Sequence, residues 1–304
     1  MAVSVRDRDG FLVVGGDSLV GGRTVLALER RGALVLASTR RRETVNARRV
    51  YLDFESDAPF RAPPEVGHAL IIAAATDYNR CEKDPLTHHI NAQCIPRLAA
   101  SLLRQGLFVT FISTNAVFGG ERPWPAEDDP HAPGIAYARQ KSEGEKSIRS
   151  AARDLNALSR LSVVRLTKIL APGVSPLPAW FAAWARGEVV TPFSDLTFAP
   201  MSARFVGEAL ATIGEKRVSG NLHLSGAENV TYVDLAEAFA RKLAIDARLI
   251  APTTAVERGI NILFKPRYSG LGMSRTTRLT GIAPQPLNDV VDDLVSEMEH
   301  RQEG

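Results

Sequence analysis

The chain has 304 residues with a net charge of +3, and 45% of them are hydrophobic and 23% charged, a composition typical of a soluble globular protein. The longest apolar run, residues 69–75, is too short to span a bilayer, and residues 1–10 lack a signal-peptide core, so we expect a cytoplasmic protein without membrane association. The chain is mildly basic but has no recognisable nucleic-acid-binding motif, so we expect no nucleic-acid partner. The two cysteines are too few for a disulfide framework, and their spacing does not suit a metal site.

Short apolar runs alternate with helical patterns through the first half of the chain. The predicted strands are residues 11–14, 33–38, 50–53, 69–75, 107–113 and 161–166, and the predicted helices are residues 19–31, 84–105 and 137–154. Pro96 lies inside the second of these helices and should bend or break it. Strands that alternate with helices predict βαβ units, so the expected fold class is α/β, with a doubly wound parallel sheet of the Rossmann type.

The pattern becomes irregular after residue 170. Residues 171–178 contain three prolines and a glycine, which predicts a loop that leaves the sheet. Helices are predicted at residues 179–186, 204–213, 231–243 and 284–301. A short strand near residues 221–225 is expected to rejoin the sheet. We therefore expect residues 171–304 to form a smaller, mixed C-terminal region that binds the substrate.

A glycine-rich turn joins the first strand to the first helix. Glycines at such a turn let the backbone approach a pyrophosphate, and the helix N-terminus supplies amide donors for it. The candidate cofactor-binding residues here are Gly15, Asp17, Ser18, Leu19 and Val20. Ser18 stands where the usual pattern has a glycine, so its side chain either weakens the fit or adds a hydroxyl donor. A plain βα turn is the alternative interpretation.

The end of the second strand distinguishes the two nicotinamide cofactors. An NAD site normally carries Asp or Glu there, whereas this chain has Ser38, Thr39 and Arg40, followed by two further arginines. Hydroxyl and guanidinium groups can bind a 2′-phosphate, so we predict NADP(H), with NAD(H) as the weaker candidate. A solvated surface turn is the alternative. Asp53, after the third strand, is a candidate for the adenine amino group, and residues 1–170 form the predicted NADP-binding domain.

Three residues form a candidate catalytic group. Thr114 ends a strand, and Tyr137 and Lys141 lie four residues apart on the following helix, where they share one face. A lysine ammonium near a phenol lowers the pKa of the tyrosine, which then serves as a general acid near neutral pH. Thr114 can hold the substrate oxygen. The Tyr-Lys spacing alone is common, but its order after a nucleotide-type turn and a Ser-Thr strand end is specific.

These motifs, in this order, resemble those of the extended short-chain dehydrogenases, and within them the dTDP-4-dehydrorhamnose reductase-like branch of sugar-nucleotide reductases. The resemblance is strongest over residues 113–146, which read Ser-Thr-x-x-Val-Phe-Gly-Gly and later Tyr-x-x-x-Lys-x-x-Gly-Glu. It implies cofactor contacts for Ala73, Ala74, Thr76, Tyr137, Lys141 and Pro172. Thr76 departs from the branch, which often has an aromatic residue there. Asn91 is expected either to brace the active-site strand or to lie on a helix surface.

The function implied by this resemblance is NADP(H)-dependent reduction of a keto group on a nucleotide-linked sugar or a similar small carbonyl substrate. Tyr137 would donate the proton, and no metal would take part. Two alternatives stay open: an epimerase or dehydratase that holds NAD tightly, and a non-catalytic NADP-binding regulatory subunit. The resemblance also suggests a homodimer. Three arginines near the C-terminus, Arg267, Arg275 and Arg278, are candidates for binding a diphosphate or are solvated surface residues.

Overall fold

A parallel sheet with helices on both faces organises the chain. The computed structural model describes residues 9–54 and 60–302, so the predicted outer boundaries at residues 1 and 304 lie outside the described residues. The strands are β1 Gly10–Val14, β2 Val35–Thr39, β3 Arg49–Tyr51, β4 Val66–Ile71, β5 Phe108–Thr114, β6 Leu161–Leu166, β7 Lys168–Leu170, β8 Thr197–Phe198, β9 Pro200–Ser202, β10 Gly220–Leu224 and β11 Val230–Thr231. Within the described ranges, the large sheet has seven parallel strands in the order β10-β6-β5-β4-β1-β2-β3. The predicted α/β fold class is confirmed.

Helices cover the two faces of this sheet and build separate cores. They are α1 Leu19–Arg30, α2 Tyr78–Lys83, α3 Pro85–His88, α4 Ile95–Arg104, α5 Ala136–Asp154, α6 Leu177–Ala185, α7 Ala203–Lys216, α8 Tyr232–Leu243, α9 Ser274–Thr280 and α10 Leu287–Gln302. Alternate residues of each strand point to opposite faces. Thus Leu12 in β1 belongs to the core beneath α4 and α5, whereas its neighbour Val13 belongs to the core beneath α1 and α7.

The helix predicted over residues 84–105 is interrupted. The helix α3 passes into a π-helical turn at His89–Cys94 before α4 begins, and the separate helix α2 precedes both. Pro96 has no N–H group, and its ring excludes the carbonyl four residues earlier, so the regular hydrogen-bond ladder cannot continue through it. The wider turn places Asn91 in the protein interior, where it is 0% exposed, which excludes the surface interpretation of this residue.

The C-terminal region has its own core and two small sheets. Side chains of α6, α8 and α10 pack together, and β8 pairs with β11 while β7 pairs with β9. The chain also returns to the large sheet, because β10 pairs in parallel with β6. Across the described parts of the chain, no helix combines the length and apolar character needed to cross a membrane.

Candidate active site

The glycine turn after β1 closes tightly against the neighbouring strand end. Gly15 has a φ of +92°, and a Cβ atom there would lie 2.8 Å from the backbone nitrogen of Ala73. Glycine is therefore required at this position. Ser18 caps α1: its hydroxyl accepts a hydrogen bond from the Gly21 N–H at 3.0 Å and donates to the Gly15 carbonyl at 2.7 Å. The unusual serine thus stabilises the turn and the helix start, and its hydroxyl is already used within the turn.

A charged cluster lies beside this turn, at the end of β2. The Asp17 carboxylate accepts a hydrogen bond from the Thr39 hydroxyl at 2.7 Å and pairs with Arg49 at 2.6 Å and Arg41 at 3.2 Å. Although partial burial opposes its charge, these hydrogen bonds lower the pKa of Asp17. The Ser38 hydroxyl accepts a hydrogen bond from the Gly15 N–H at 2.9 Å. Both β2 hydroxyls therefore support the turn.

A cavity of about 670 Å³ opens at the carboxyl edge of the sheet, where ligands of doubly wound folds bind. All three predicted catalytic residues line it. Thr114 does so from the last position of β5, and Tyr137 and Lys141 do so from the first turns of α5. Of the predicted cofactor residues, Val20, Ala74 and Thr76 also line this cavity.

The other predicted cofactor residues lie outside the lining of this cavity. They are Gly15, Asp17, Ser18, Leu19, Ser38, Thr39, Arg40, Asp53, Ala73 and Pro172. Most belong to the glycine turn or to the β2 end, along the same edge of the sheet. Pro172 is buried in the loop after β7, and Asp53 accepts a hydrogen bond from the Tyr51 hydroxyl at 3.2 Å.

Burial shifts the pKa values of both Tyr137 and Lys141, and the pKa of Tyr137 is raised rather than lowered as the Tyr-Lys spacing had led us to expect. Desolvation, together with Tyr78 and Cys81, raises the pKa of Tyr137 above its ordinary value, and the Thr114 hydroxyl only partly opposes this. Burial also lowers the pKa of Lys141 to about 7, against the opposing charge of Glu145. The Lys141 ammonium donates a hydrogen bond to the Ile112 carbonyl at 2.8 Å. Tyr137 is therefore held in its protonated form.

Asn91 links the segment after β4 to α5, the helix of the candidate residues Tyr137 and Lys141. Its side-chain amide donates to the Ala75 carbonyl at 2.8 Å and to Gln140 Oε1 at 2.8 Å, and its oxygen accepts from the Ala75 N–H at 2.9 Å. Gln140 lies directly before Lys141 on α5. The buried amide therefore joins the loop that carries Ala74 and Thr76 to the helix that carries Tyr137.

We expect Asn91→Ala to lower the free energy of unfolding by about 2 kcal/mol, because it leaves buried backbone and side-chain groups without partners. Urea unfolding at pH 7 measures the change. The matched control is Gln93→Ala, which removes an exposed amide from the same π-helical turn and should have little effect. Equal losses in the two variants would contradict a bracing role for Asn91.

A buried ionic network that the sequence reasoning missed joins the helix of Tyr137 and Lys141 to β6. Glu145 and Arg165 are 1% and 2% exposed and form a two-point pair, with N–O distances of 3.0 and 2.7 Å. Arg165 also contacts His131 at 2.9 Å and His223 at 3.2 Å. Although burial alone would raise it, the pKa of Glu145 is lowered to about 2 by Arg165. Glu145 belongs to the Tyr-x-x-x-Lys-x-x-Gly-Glu motif, which is the only sequence signal for this network. The partners of Glu145 and Arg165 come from other segments of the chain, so the motif does not reveal them.

The C-terminal region supplies the opposite wall of the cavity. Residues 261–266 line it, and the Phe264 ring lies edge-on to Tyr78, whose ring is 5.2 Å from that of Tyr137. This segment is held at the β5 end because the Tyr268 N–H donates to the Gly120 carbonyl at 2.8 Å. The sequence carries no motif that marks these wall residues.

The three C-terminal arginines lie outside the lining of the cavity. Arg275 pairs with Asp128 at 2.5 Å, and its backbone N–H donates to Glu127. The Arg267 guanidinium lies over the Tyr268 ring, 5.2 Å from its centroid. These contacts occupy Arg267 and Arg275 within the protein.

A family model and several known proteins match this chain over most of its length. A family model described as the RmlD substrate binding domain matches residues 10–300. A probable dTDP-4,6-dihydroxy-2-methyloxan-3-one 4-ketoreductase of Streptomyces antibioticus is 34% identical over 204 residues, 64% of this chain and 65% of that protein. A dTDP-4-dehydrorhamnose reductase of Streptomyces griseus is 26% identical over 288 residues, 91% of this chain and 90% of that protein. The solved dTDP-4-dehydrorhamnose reductase of Bacillus anthracis, in complex with NADP, has a TM-score of 0.79 at 17% identity and covers 95% of this chain and 99% of that one.

Proposed function

The chain belongs to the RmlD substrate binding domain family, and on this premise we propose that it reduces the keto group of a nucleotide-linked sugar with NADP(H). The observation that carries the proposal is the convergence of Thr114, Tyr137 and Lys141 on one cavity at the carboxyl edge of the sheet. The walls of this cavity come from both the Rossmann half and the C-terminal region. A cofactor and a substrate therefore have room to meet beside the proposed acid.

The residues at the sheet edge fit a dinucleotide. Gly15 has no side chain and lies close to Ala73, so the turn before α1 presents backbone groups to a ligand. The N-terminus of α1, capped by Ser18, attracts a pyrophosphate. Val20, Ala74 and Thr76 then continue this surface into the cavity. When bound there, NADP(H) supplies the hydride.

Arg40 is our candidate for the residue that binds the 2′-phosphate of NADP(H) and so distinguishes it from NAD(H). It is exposed at the end of β2, and none of the described acidic residues forms an ion pair with it, whereas Arg41 is paired with Asp17. An unpaired guanidinium beside a ribose site binds phosphate through charge-assisted hydrogen bonds. This arrangement favours NADP(H) over the tightly held NAD of an epimerase or dehydratase.

We expect Arg40→Ala to raise the KM for NADPH about 10-fold and to leave the KM for NADH nearly unchanged, because only NADPH carries the 2′-phosphate. Initial rates with each cofactor measure the two constants. Arg104→Ala is the matched control, since it removes an exposed arginine at the end of α4, before β5 begins and so away from the carboxyl edge. An equal loss with NADH would reject this role.

The chain's own groups handle the proton. Tyr137, kept protonated by burial, donates to the oxygen that gains negative charge as the carbonyl is reduced. The Thr114 hydroxyl stabilises the same oxygen through a hydrogen bond. Lys141, placed one helical turn from Tyr137, would hold the ribose of the bound cofactor. The apolar wall around Tyr137, which includes Cys81 and Ile135, limits water at the reacting oxygen.

An assay that follows NADPH absorbance with dTDP-4-keto-6-deoxy sugars tests the proposal. Oxidation of NADPH that depends on the sugar is the expected result. Binding of NADPH without turnover of any keto sugar would instead support the regulatory subunit. Conversion of a sugar with no net change in NADPH would support the epimerase or dehydratase.

A further inference from the structure

Three lysines line the active-site cavity, and among its described lining residues there is no aspartate or glutamate. Two of these lysines already have partners. The Lys141 ammonium donates to the Ile112 carbonyl, and Lys265 pairs with Asp195 at 2.6 Å. For Lys168, the described part of the chain provides no carboxylate within ion-pair distance. The cavity therefore carries an unbalanced positive charge at Lys168.

Lys168 lies where the two halves of the cavity meet. It is the first residue of β7 and lies two residues after Leu166, which is in register with Thr114 on the neighbouring strand. From the other side, Thr197 and Tyr232 of the C-terminal region line the same cavity. Lys168 therefore lines the same cavity as Thr114 and the residues of the C-terminal wall.

The surroundings of Lys168 favour a counter-charge. The side chain is open to the solvent that fills the cavity, yet the nearby protein desolvates its ammonium group and lowers its pKa. Desolvation lowers this pKa, and no described carboxylate lies within ion-pair distance to compensate for the lost hydration. A negatively charged ligand group would provide that compensation.

We propose that Lys168 binds an oxyanion of the substrate, either a phosphate of the nucleotide diphosphate or a carboxylate on the sugar. It thereby makes the site selective for anionic over neutral carbonyl compounds. This inference rests on the proposed function, because it assumes that a nucleotide-linked sugar occupies the cavity. It assigns the substrate anion to β7 rather than to the C-terminal arginines, of which Arg275 is paired with Asp128.

Equilibrium binding to the NADPH-loaded enzyme tests the proposal. The ligands are thymidine, thymidine diphosphate, UDP-glucose and UDP-glucuronic acid, and the variants are Lys168→Met, Lys168→Gln and Lys168→Arg. Lys242→Met is the matched control, because Lys242 is an exposed lysine of α8 that pairs with Asp292 outside the cavity. The NADPH affinity of each variant verifies that its cofactor domain is folded.

We expect both neutral variants to bind the anionic ligands about 10-fold more weakly than the wild type, with thymidine unaffected and with Lys168→Arg retaining most of the affinity. Weaker binding of thymidine diphosphate and UDP-glucose identifies the phosphate as the partner. Weaker binding of UDP-glucuronic acid alone identifies the carboxylate.

Wild-type affinity in both neutral variants for every ligand would overturn the role of Lys168 and leave the proposed function intact. A wild-type enzyme that binds none of the nucleotide ligands would overturn the proposed function, and the role of Lys168 with it. The two failures are therefore distinguishable in one set of titrations.

Discussion

Tyr137→Phe is expected to reduce kcat for keto-sugar reduction by about 100-fold to 10,000-fold, the range typical of a lost general acid. The substitution removes only the hydroxyl that would protonate the substrate oxygen. The ring stays packed against Tyr78, 5.2 Å away, so the cavity keeps its shape. Stopped-flow absorbance of NADPH under single-turnover conditions measures the effect on the chemical step.

Two comparisons make this result specific. NADPH should still bind to Tyr137→Phe with nearly wild-type affinity, because the phenol hydroxyl is proposed to act on the substrate. Tyr268→Phe is the matched control, since it removes a phenol outside the cavity and keeps the backbone hydrogen bond to Gly120. A Tyr137→Phe enzyme as active as Tyr268→Phe would exclude Tyr137 as the proton donor.

Glu145→Gln is expected to cause the largest loss of stability, about 3–5 kcal/mol of unfolding free energy. The variant keeps the size of the side chain but leaves the Arg165 guanidinium, 2% exposed, without its counter-charge. An unpaired charge in the interior is costly because water cannot solvate it. The same change removes the charge that raises the pKa of Lys141, so that pKa should fall from about 7 to a lower value. Guanidinium unfolding at pH 7 measures the stability.

The helix itself provides the control for this prediction. Glu143 lies two residues earlier on α5, and its contact with His88, at 2.9 Å, is exposed. We expect Glu143→Gln to change stability by less than about 1 kcal/mol, as for other surface pairs. The double variant Glu145→Leu, Arg165→Met should recover part of the loss, because it removes both buried charges. If Glu145→Gln and Glu143→Gln were equally stable, the buried pair would have no structural role.

Local patterns predicted most of the Rossmann half. Apolar runs and glycines depend on near neighbours in the chain, so the strand at residues 161–166 and the helix around Tyr137 were predicted almost to the residue. The short strands of the C-terminal region were missed because β8, β9 and β11 contain two or three residues each, too few for a periodic pattern. Their strand conformation depends on partners far along the chain.

The pKa values of the site residues depend on burial, which the spacing of residues in the sequence does not reveal. From the Tyr-Lys motif we expected Lys141 to lower the pKa of Tyr137, yet desolvation, together with Tyr78 and Cys81, raises it. The arginines near the C-terminus were considered as diphosphate ligands because of their charge. Arg275 instead pairs with Asp128, a partner 147 residues away in sequence.

The sequence by itself was enough to predict the α/β class, the glycine turn and the candidate group of Thr114, Tyr137 and Lys141. Each of these features depends on residues that are close in the chain and have a fixed spacing. The tertiary structure alone decided which charges stay unpaired in the cavity and which are neutralised. The ion pairs form between residues that are distant in the sequence, such as Glu145 with Arg165 and Lys265 with Asp195. Pairing and burial are properties of the folded chain, so only the three-dimensional structure shows that Lys168 lines the same cavity as residues of the C-terminal region.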